Sequence, residues 1–212
     1  MYVRQIDDQI LTLRVSGKLW MRSLVMSDVE TRTEWSHLLG RGMKGELKGK
    51  VLEPIVTDMA TWAAWRKDFP DTTVMDMRNT SKNYTRDFYK DASRFVFGFR
   101  AGGKTWALPM SELVRKPGHA FQIGDLSLLA AFDTEGVATR LFETTVGNHD
   151  LEFVRLDDAT MQDKQTQSRW STSSGKAIAG PLMGTELKQR VGIMSFRKAW
   201  QNFHPKSVDI EF

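Results

Sequence analysis

Short segments in which apolar and polar residues alternate make up much of this chain. Residues 9–15 alternate as a half-buried strand does. Similar candidate strands, separated by glycine-containing turns, lie at 24–29, 34–39, 50–56, 120–123, 126–132, 139–145 and 151–155. Gly102 and Gly103 predict the turn of a further hairpin between segments 94–100 and 105–108. The pattern predicts a mainly-β protein.

Helical spacing predicts two short helices. The first covers residues 59–68, with Thr57 or Asp58 as its cap and Pro70 as its end. Its aromatic residues Trp62, Trp65 and Phe69 recur at helical spacing, which is typical of a face turned toward the core. The second helix is predicted at about residues 195–203.

The two helices belong to a repeated module. Residues 26–70 align with residues 161–205 without a gap at a constant offset of 135, and 15 of the 45 columns are identical. Chance would give about three identities at ordinary residue frequencies. Tryptophans and glycines set core volume and backbone geometry, so their coincidence implies a shared local fold. The shared residues include Trp35/Trp170, Trp65/Trp200, Gly40/Gly175, Gly45/Gly180 and Gly49/Gly184.

The repeat predicts two small barrel- or sandwich-like modules in tandem, with one short helix in each. We place the first repeat at residues 1–78, a polar linker at 79–92 and the second repeat at 93–212. The second copy lacks a counterpart of residues 16–20, which we interpret as a hairpin tip. The first copy lacks a counterpart of residues 94–141. We therefore expect the chain to be a fragment without its upstream strands, the alternative being a first copy that starts late.

Polar residues inside the repeat supply the candidate binding site. Each copy has an Asp three residues before a Thr, and a Trp follows four residues later. Such an Asp commonly closes a turn by hydrogen bonds from its side chain to the backbone, and a strand Trp is commonly core. The alternative is a ligand pocket that brings carboxylate, hydroxyl and indole together. The candidate ligand-binding residues are Asp28, Thr31, Trp35, Asp163, Thr166 and Trp170.

Composition narrows the chemistry. The chain has no cysteine, so disulfides, thiolate metal sites and cysteine nucleophiles are excluded. Metal-ligand spacing is absent from the four histidines, His37, His119, His149 and His204. The sequence has no Gly-x-Ser-x-Gly motif of a serine hydrolase, and the glycine series lacks the Gly-Lys-Ser/Thr ending of a phosphate loop. No cofactor fingerprint and no apolar run of membrane-spanning length are present. The net charge of +4 is scattered, which does not favour nucleic-acid binding.

The repeated motifs closely resemble domain-of-unknown-function family 3179, which is widespread in bacteria and archaea. The resemblance covers most of the chain and implies a fold but no reaction. Members often carry a Tyr-Cys-Pro stretch, whereas residues 128–132 here read Leu-Leu-Ala-Ala-Phe. The matching segments are residues 15–19, 28–35, 40–49, 62–71, 103–109, 163–170 and 175–185.

These observations favour a duplicated β protein with a non-enzymatic binding or structural role. One alternative is an enzyme, such as a hydrolase, whose catalytic residues lie partly in a missing upstream segment. A second alternative is weak binding of nucleic acid or another anionic ligand. The sequence leaves the partner, the oligomeric state and the compartment open, so cytoplasmic and exported locations both remain.

Overall fold

The computed structural model describes residues 1–74 and 91–212, without the side chain of Asp68. Most of the predicted linker lies outside the described residues. Copy one consists of β1 (Gln5–Ile6), β2 (Gln9–Ile10), β3 (Leu13–Trp20), β4 (Ser23–Asp28), β5 (Glu34–Ser36), β6 (Arg41–Lys44) and α1 (Trp62–Asp68).

Copy two is longer and begins with five elements that precede the repeated part. These are β7 (Phe95–Ala101), β8 (Lys104–Pro109), α2 (Met110–Arg115), β9 (Gly118–Ile123) and β10 (Leu126–Asp133). The chain continues with β11 (Ala138–Glu143), β12 (Thr145–Val146), β13 (His149–Asp150), β14 (Phe153–Arg155), β15 (Thr160–Asp163), β16 (Arg169–Ser171), β17 (Ala177–Ala179), β18 (Gly192–Phe196), α3 (Arg197–Phe203) and β19 (Val208–Asp209).

The repeat has the same architecture in both copies. Strands β3 to β6 form an antiparallel sheet in sequence order, and β14 to β17 form its counterpart. The register agrees as well, because Met26 pairs with Trp35 and Met161 pairs with Trp170. Both Trp rings are fully buried, as predicted for core residues. The predicted tandem repeat of two mainly-β modules is confirmed.

Copy two also contains two sheets that support its helices. One has the order β18-β7-β8-β19 and the other has the order β11-β10-β9. The largest buried apolar cluster lies between them and α2, and it includes Phe97, Leu108, Leu113 and Leu128. Every sheet in the described part of the chain is open, so the barrel form of the prediction is not supported. No helix in residues 1–74 or 91–212 is long and apolar enough to cross a membrane.

Three local predictions need correction. Residues 16–20 are not the hairpin tip, because β3 continues to Trp20 and the chain turns at Met21 and Arg22. Segment 50–56 forms isolated bridges rather than the predicted strand. Helix α1 begins after Thr61, whose hydroxyl accepts the Ala64 N–H, and not after residue 57 or 58.

The predicted core-facing stripe of α1 is wrong for two of its three aromatic residues. Trp62 and Phe69 are 49% and 47% exposed. In copy two, the equivalent helix α3 lies on β7, where the Trp200 ring covers Gly98. The described strands of copy one offer no such sheet beneath α1, so helical spacing alone does not bury its side chains.

The glycine series forms tight turns, as predicted. Gly45 and Gly180 occupy the same place in their copies, with positive φ angles of 113° and 94°. A Cβ atom on Gly45 would lie 2.7 Å from the Cα of Thr33. Each turn can therefore lie against the strand that carries the buried Trp.

Candidate functional site

The first predicted site is a buried hydrogen-bond network in copy one. The Asp28 carboxylate accepts the backbone N–H of Thr31 at 2.5 Å and its hydroxyl at 2.8 Å. It also accepts the Thr33 N–H at 3.1 Å and the Trp35 indole N–H at 2.8 Å. This confirms that Asp28 closes the turn by hydrogen bonds from its side chain to the backbone.

Copy two contains the same network with Ser168 in place of Thr33. Asp163 accepts the Thr166 N–H at 2.5 Å and its hydroxyl at 2.9 Å. The Ser168 N–H and the Trp170 indole N–H complete the set at 3.1 and 2.9 Å. The structure thus brings each predicted Asp, Thr and Trp together within its own copy.

Both carboxylates are held in their ionised form. Burial by itself would raise the pKa of Asp28 and Asp163, but the hydrogen bonds from Trp, Thr and backbone donors outweigh it and lower both pKa values. Asp28 is 2% exposed and Asp163 is fully buried. Direct ligand binding by these two networks stays a prediction.

A cleft between the two copies is the candidate site that sequence reasoning missed. Its volume is about 390 Å³, within the usual range for small-molecule sites. Copy one supplies one apolar wall, which includes Leu38, Leu52 and Pro54. Copy two supplies the other wall from β7, β18 and α3, which includes Ile193 and Trp200.

Positive side chains line the same cleft. They are Arg100, Lys188 and Arg190, and no carboxylate is among the described residues that line it. Glu143 lies behind them and binds Lys188 at 3.0 Å and Arg190 at 2.9 Å. The Arg100 side chain has no hydrogen bond or ion pair within residues 1–74 and 91–212. Two of the three cations therefore share one carboxylate, whose single charge offsets only one of them.

The two titratable rings of the cleft are neutral at pH 7. Burial, with a smaller contribution from Arg100, lowers the pKa of His204 to about 4. Burial raises the pKa of Tyr2 to about 12, although Arg100 acts in the opposite direction. The Tyr2 hydroxyl donates to the carbonyl of His37 at 2.8 Å. Neither ring offsets the positive charge.

A buried ion pair holds the two walls of the cleft together. The Arg140 Nε lies 2.7 Å from an Asp58 carboxylate oxygen, and the two side chains are 4% and 11% exposed. The other Asp58 oxygen accepts the Gln189 amide at 2.9 Å. Nearby, the Thr61 N–H donates to the carbonyl of Gly136. These contacts fix copy one against β11 and against the segment that carries Lys188 and Arg190.

The described residues contain no group of three or more His, Asp or Glu side chains arranged to hold a metal ion. Of the four histidines, only His204 lines the cleft between the copies.

Comparison with known protein families agrees with the duplicated architecture. A family model described as a protein of unknown function, DUF3179, matches residues 1–94 and again residues 90–207. The chain belongs to DUF3179. No curated protein and no solved structure matches it.

In this DUF3179 chain, the Leu-Leu-Ala-Ala-Phe segment is part of the core. Residues 128–132 are all buried in the central strand β10, between β9 and β11. Their side chains pack within the protein, and none of them lines the cleft.

A difference between the two DUF3179 copies is a weak sequence signal for the cleft cations. Glu53 and Ile55 occupy the positions that Lys188 and Arg190 occupy in copy two. Because 30 of the 45 aligned columns differ, these two differences alone do not distinguish the cleft from the rest of the repeat. Arg100 gives no comparable signal, because it lies outside the aligned repeat.

Proposed function

We propose that this protein binds a small anionic molecule with an apolar body in the cleft between its two repeats. The observation that carries the proposal is the Arg100 guanidinium, which faces an apolar cleft without a partner in the described chain. Guanidinium groups bind carboxylates and phosphates through paired, charge-assisted hydrogen bonds.

The charge balance of the cleft supports an anionic ligand. Arg100, Lys188 and Arg190 contribute three positive charges, whereas Glu143 contributes one negative charge. His204 is neutral at pH 7 because its pKa is about 4. An anion bound beside Arg100 would meet an excess of positive charge in a partly enclosed site, where charges are screened less than in bulk water.

The walls support an apolar ligand body. Leu38, Leu52, Ile193 and Trp200 present hydrocarbon and aromatic surface, and burying such surface favours binding in rough proportion to its area. A volume of about 390 Å³ suits a molecule with a short aliphatic chain or a single ring. The class proposed is therefore carboxylates or phosphate monoesters of that size.

In this proposal, the Asp28 and Asp163 networks support the cleft, and none of their residues is among the described residues that line it. Each fixes a buried Trp beneath its sheet. The Trp35 strand leads directly into Leu38, which lines the cleft. Satisfied networks of this kind rigidify a core, which would hold the apolar wall in place.

The test is a thermal-shift titration with hexanoate, benzoate and phenyl phosphate, alongside the neutral analogues hexanamide and benzamide. A ligand that binds only the folded state raises the unfolding temperature. At least one anion should do so, whereas its uncharged counterpart should have little effect.

Arg100→Gln removes the exposed cation that has no partner among the described residues, and it should abolish the shift. The matched control is Lys104→Gln, which removes one charge from the neighbouring strand outside the cleft. Equal shifts with anions and amides, or equal loss in both variants, would contradict the proposal.

A further inference from the structure

The β3–β4 hairpin projects further than the fold requires. Residues 16–20 lengthen β3, and copy two builds the same four-stranded sheet from the much shorter β14 and β15. There the connection is closed by Asp157, which accepts the Thr160 N–H at 2.6 Å. The extension therefore adds surface that this sheet architecture does not need.

That added surface is apolar and exposed. Val15 and Leu19 are each 71% exposed, and Met21 at the turn is 47% exposed. Trp20 turns toward copy two, where its ring meets Phe203 edge-on at 4.9 Å between centroids. This contact fixes the hairpin against α3 and leaves Leu19 and Met21 outward. Large apolar side chains grouped on a projection are typical of an interaction surface.

The turn itself is strained. Met21 and Arg22 have φ angles of 48° and 64°, in the left-handed region that glycine favours. Two-residue hairpin turns of this geometry normally contain Asn or Gly. Non-glycine residues in such a conformation cost free energy and are enriched at functional sites.

A cationic groove runs beside the hairpin. It has a volume of about 670 Å³ between Leu19 and Trp20 on one side and β6 with its following turn on the other. Lys18 binds Glu34. The Arg41 and Lys48 side chains have no hydrogen bond or ion pair within the described ranges 1–74 and 91–212. Apolar side chains thus project beside two uncompensated cations.

We propose that this hairpin docks the protein onto an anionic membrane surface. Leu19 and Met21 enter the boundary between headgroups and acyl chains, while Arg41 and Lys48 bind lipid phosphates. This combination of an apolar insertion and nearby basic residues is how peripheral proteins hold anionic lipid.

The shape of the hairpin favours a lipid surface over an acidic polypeptide. An added peptide strand would pair along the outer edge of β3, but β3 carries a register shift between Val15 and Leu19. Bulges of this kind twist an edge away from further pairing. A fluid lipid surface has no register to match, so it accommodates the irregular edge.

The test is cosedimentation of the full chain with two vesicle preparations. One contains equal parts of phosphatidylcholine and phosphatidylglycerol, and the other contains phosphatidylcholine alone. The native protein should sediment with the anionic vesicles and remain in solution with the neutral ones. Binding should fall as salt is raised, because the cationic contribution is screened.

Two double variants separate the contributions. Leu19→Ser with Met21→Ser removes the apolar insertion and should weaken binding to the anionic vesicles. Arg41→Ala with Lys48→Ala removes the two cations and should weaken that binding about thirtyfold. The matched controls lie in copy two. Val154→Ser with Met183→Ser alters exposed apolar residues away from the hairpin. Lys198→Ala with Lys206→Ala removes the same amount of charge as the Arg41 and Lys48 variant. Both controls should bind as the native protein does.

Three results would overturn the proposal. The first is no binding to anionic vesicles. The second is equal loss in hairpin variants and controls, which would indicate attraction through net charge alone. The third is binding of polyglutamate that the hairpin variants abolish while vesicle binding is absent, which would assign the surface to an acidic polypeptide.

Discussion

At the scale of single residues, the most consequential groups are the buried aspartates. Asp28 and Asp163 each accept hydrogen bonds from a turn backbone, a hydroxyl and an indole. These bonds connect one turn to one core Trp. Hydrogen bonds to such a carboxylate are strong because they are charge-assisted. Losing the carboxylate would also leave buried donors unpaired, which costs free energy.

We predict that Asp163→Asn lowers the free energy of unfolding by about 2–3 kcal/mol, because one acceptor oxygen becomes a donor that faces other donors. Urea denaturation measures the loss. Asp157→Asn is the matched control, since Asp157 also accepts bonds from Thr160 but lies on the surface. Equal losses in the two variants would show that burial of the network is not what matters.

Residue patterns in the sequence predicted these networks but not the cleft. The Asp-x-x-Thr spacing indicates a local turn, and local hydrogen bonds are encoded over a few residues. Arg100 and Lys188 both line the cleft because β18 pairs with β7 and brings the segment before β18 to the same side of copy two. The spacing of two residues 88 positions apart along the chain does not indicate that they line one cleft.

At the scale of elements, the two equivalent helices show what periodicity can and cannot predict. Trp65 and Trp200 share one alignment column, and each indole N–H bonds a hydroxyl seven residues later. Trp200 is nevertheless 3% exposed, whereas Trp65 is only half-buried. The difference arises from β7, which covers one helix only. Helix position was predictable from sequence, and helix burial was not.

We predict that Gly98→Ala destabilises the protein by about 1–3 kcal/mol, the range for overpacked cores. The new methyl group would lie about 2.4 Å from the Trp200 ring and push α3 away from β7. Thermal or urea denaturation measures the effect.

Gly118→Ala is the matched control for this strand position. A Cβ there meets no atom within 4 Å, so stability should change little. If both variants are neutral, α3 does not pack on β7 as described.

At the scale of the whole molecule, residues of both copies line one cleft. The repeat could be predicted from the sequence because its Trp and Gly residues set local geometry. The arrangement of the two copies could not be predicted, because it depends on contacts between distant residues. Asp58 and Arg140, for example, are 82 residues apart in the sequence.

We predict that Asp58→Ala lowers the free energy of unfolding by about 3–5 kcal/mol, because it leaves the Arg140 charge buried and unpaired. Asp209→Ala breaks the half-exposed ion pair with Arg197 and should cost less than about 1 kcal/mol. Urea denaturation compares the two. A loss at Asp58 no larger than that at Asp209 would mean that this pair does not hold the copies together.

The most direct test of the cleft proposal is a chemical-shift titration of the isotope-labelled protein with benzoate and with benzamide. We expect benzoate to move the Trp200 indole and Arg100 side-chain resonances to saturation. Arg100→Gln should remove the response of Trp200, and Lys104→Gln should keep it. Shifts that spread over the surface, shifts of equal size with benzamide, or no shift at the cleft with any of the anions would contradict it.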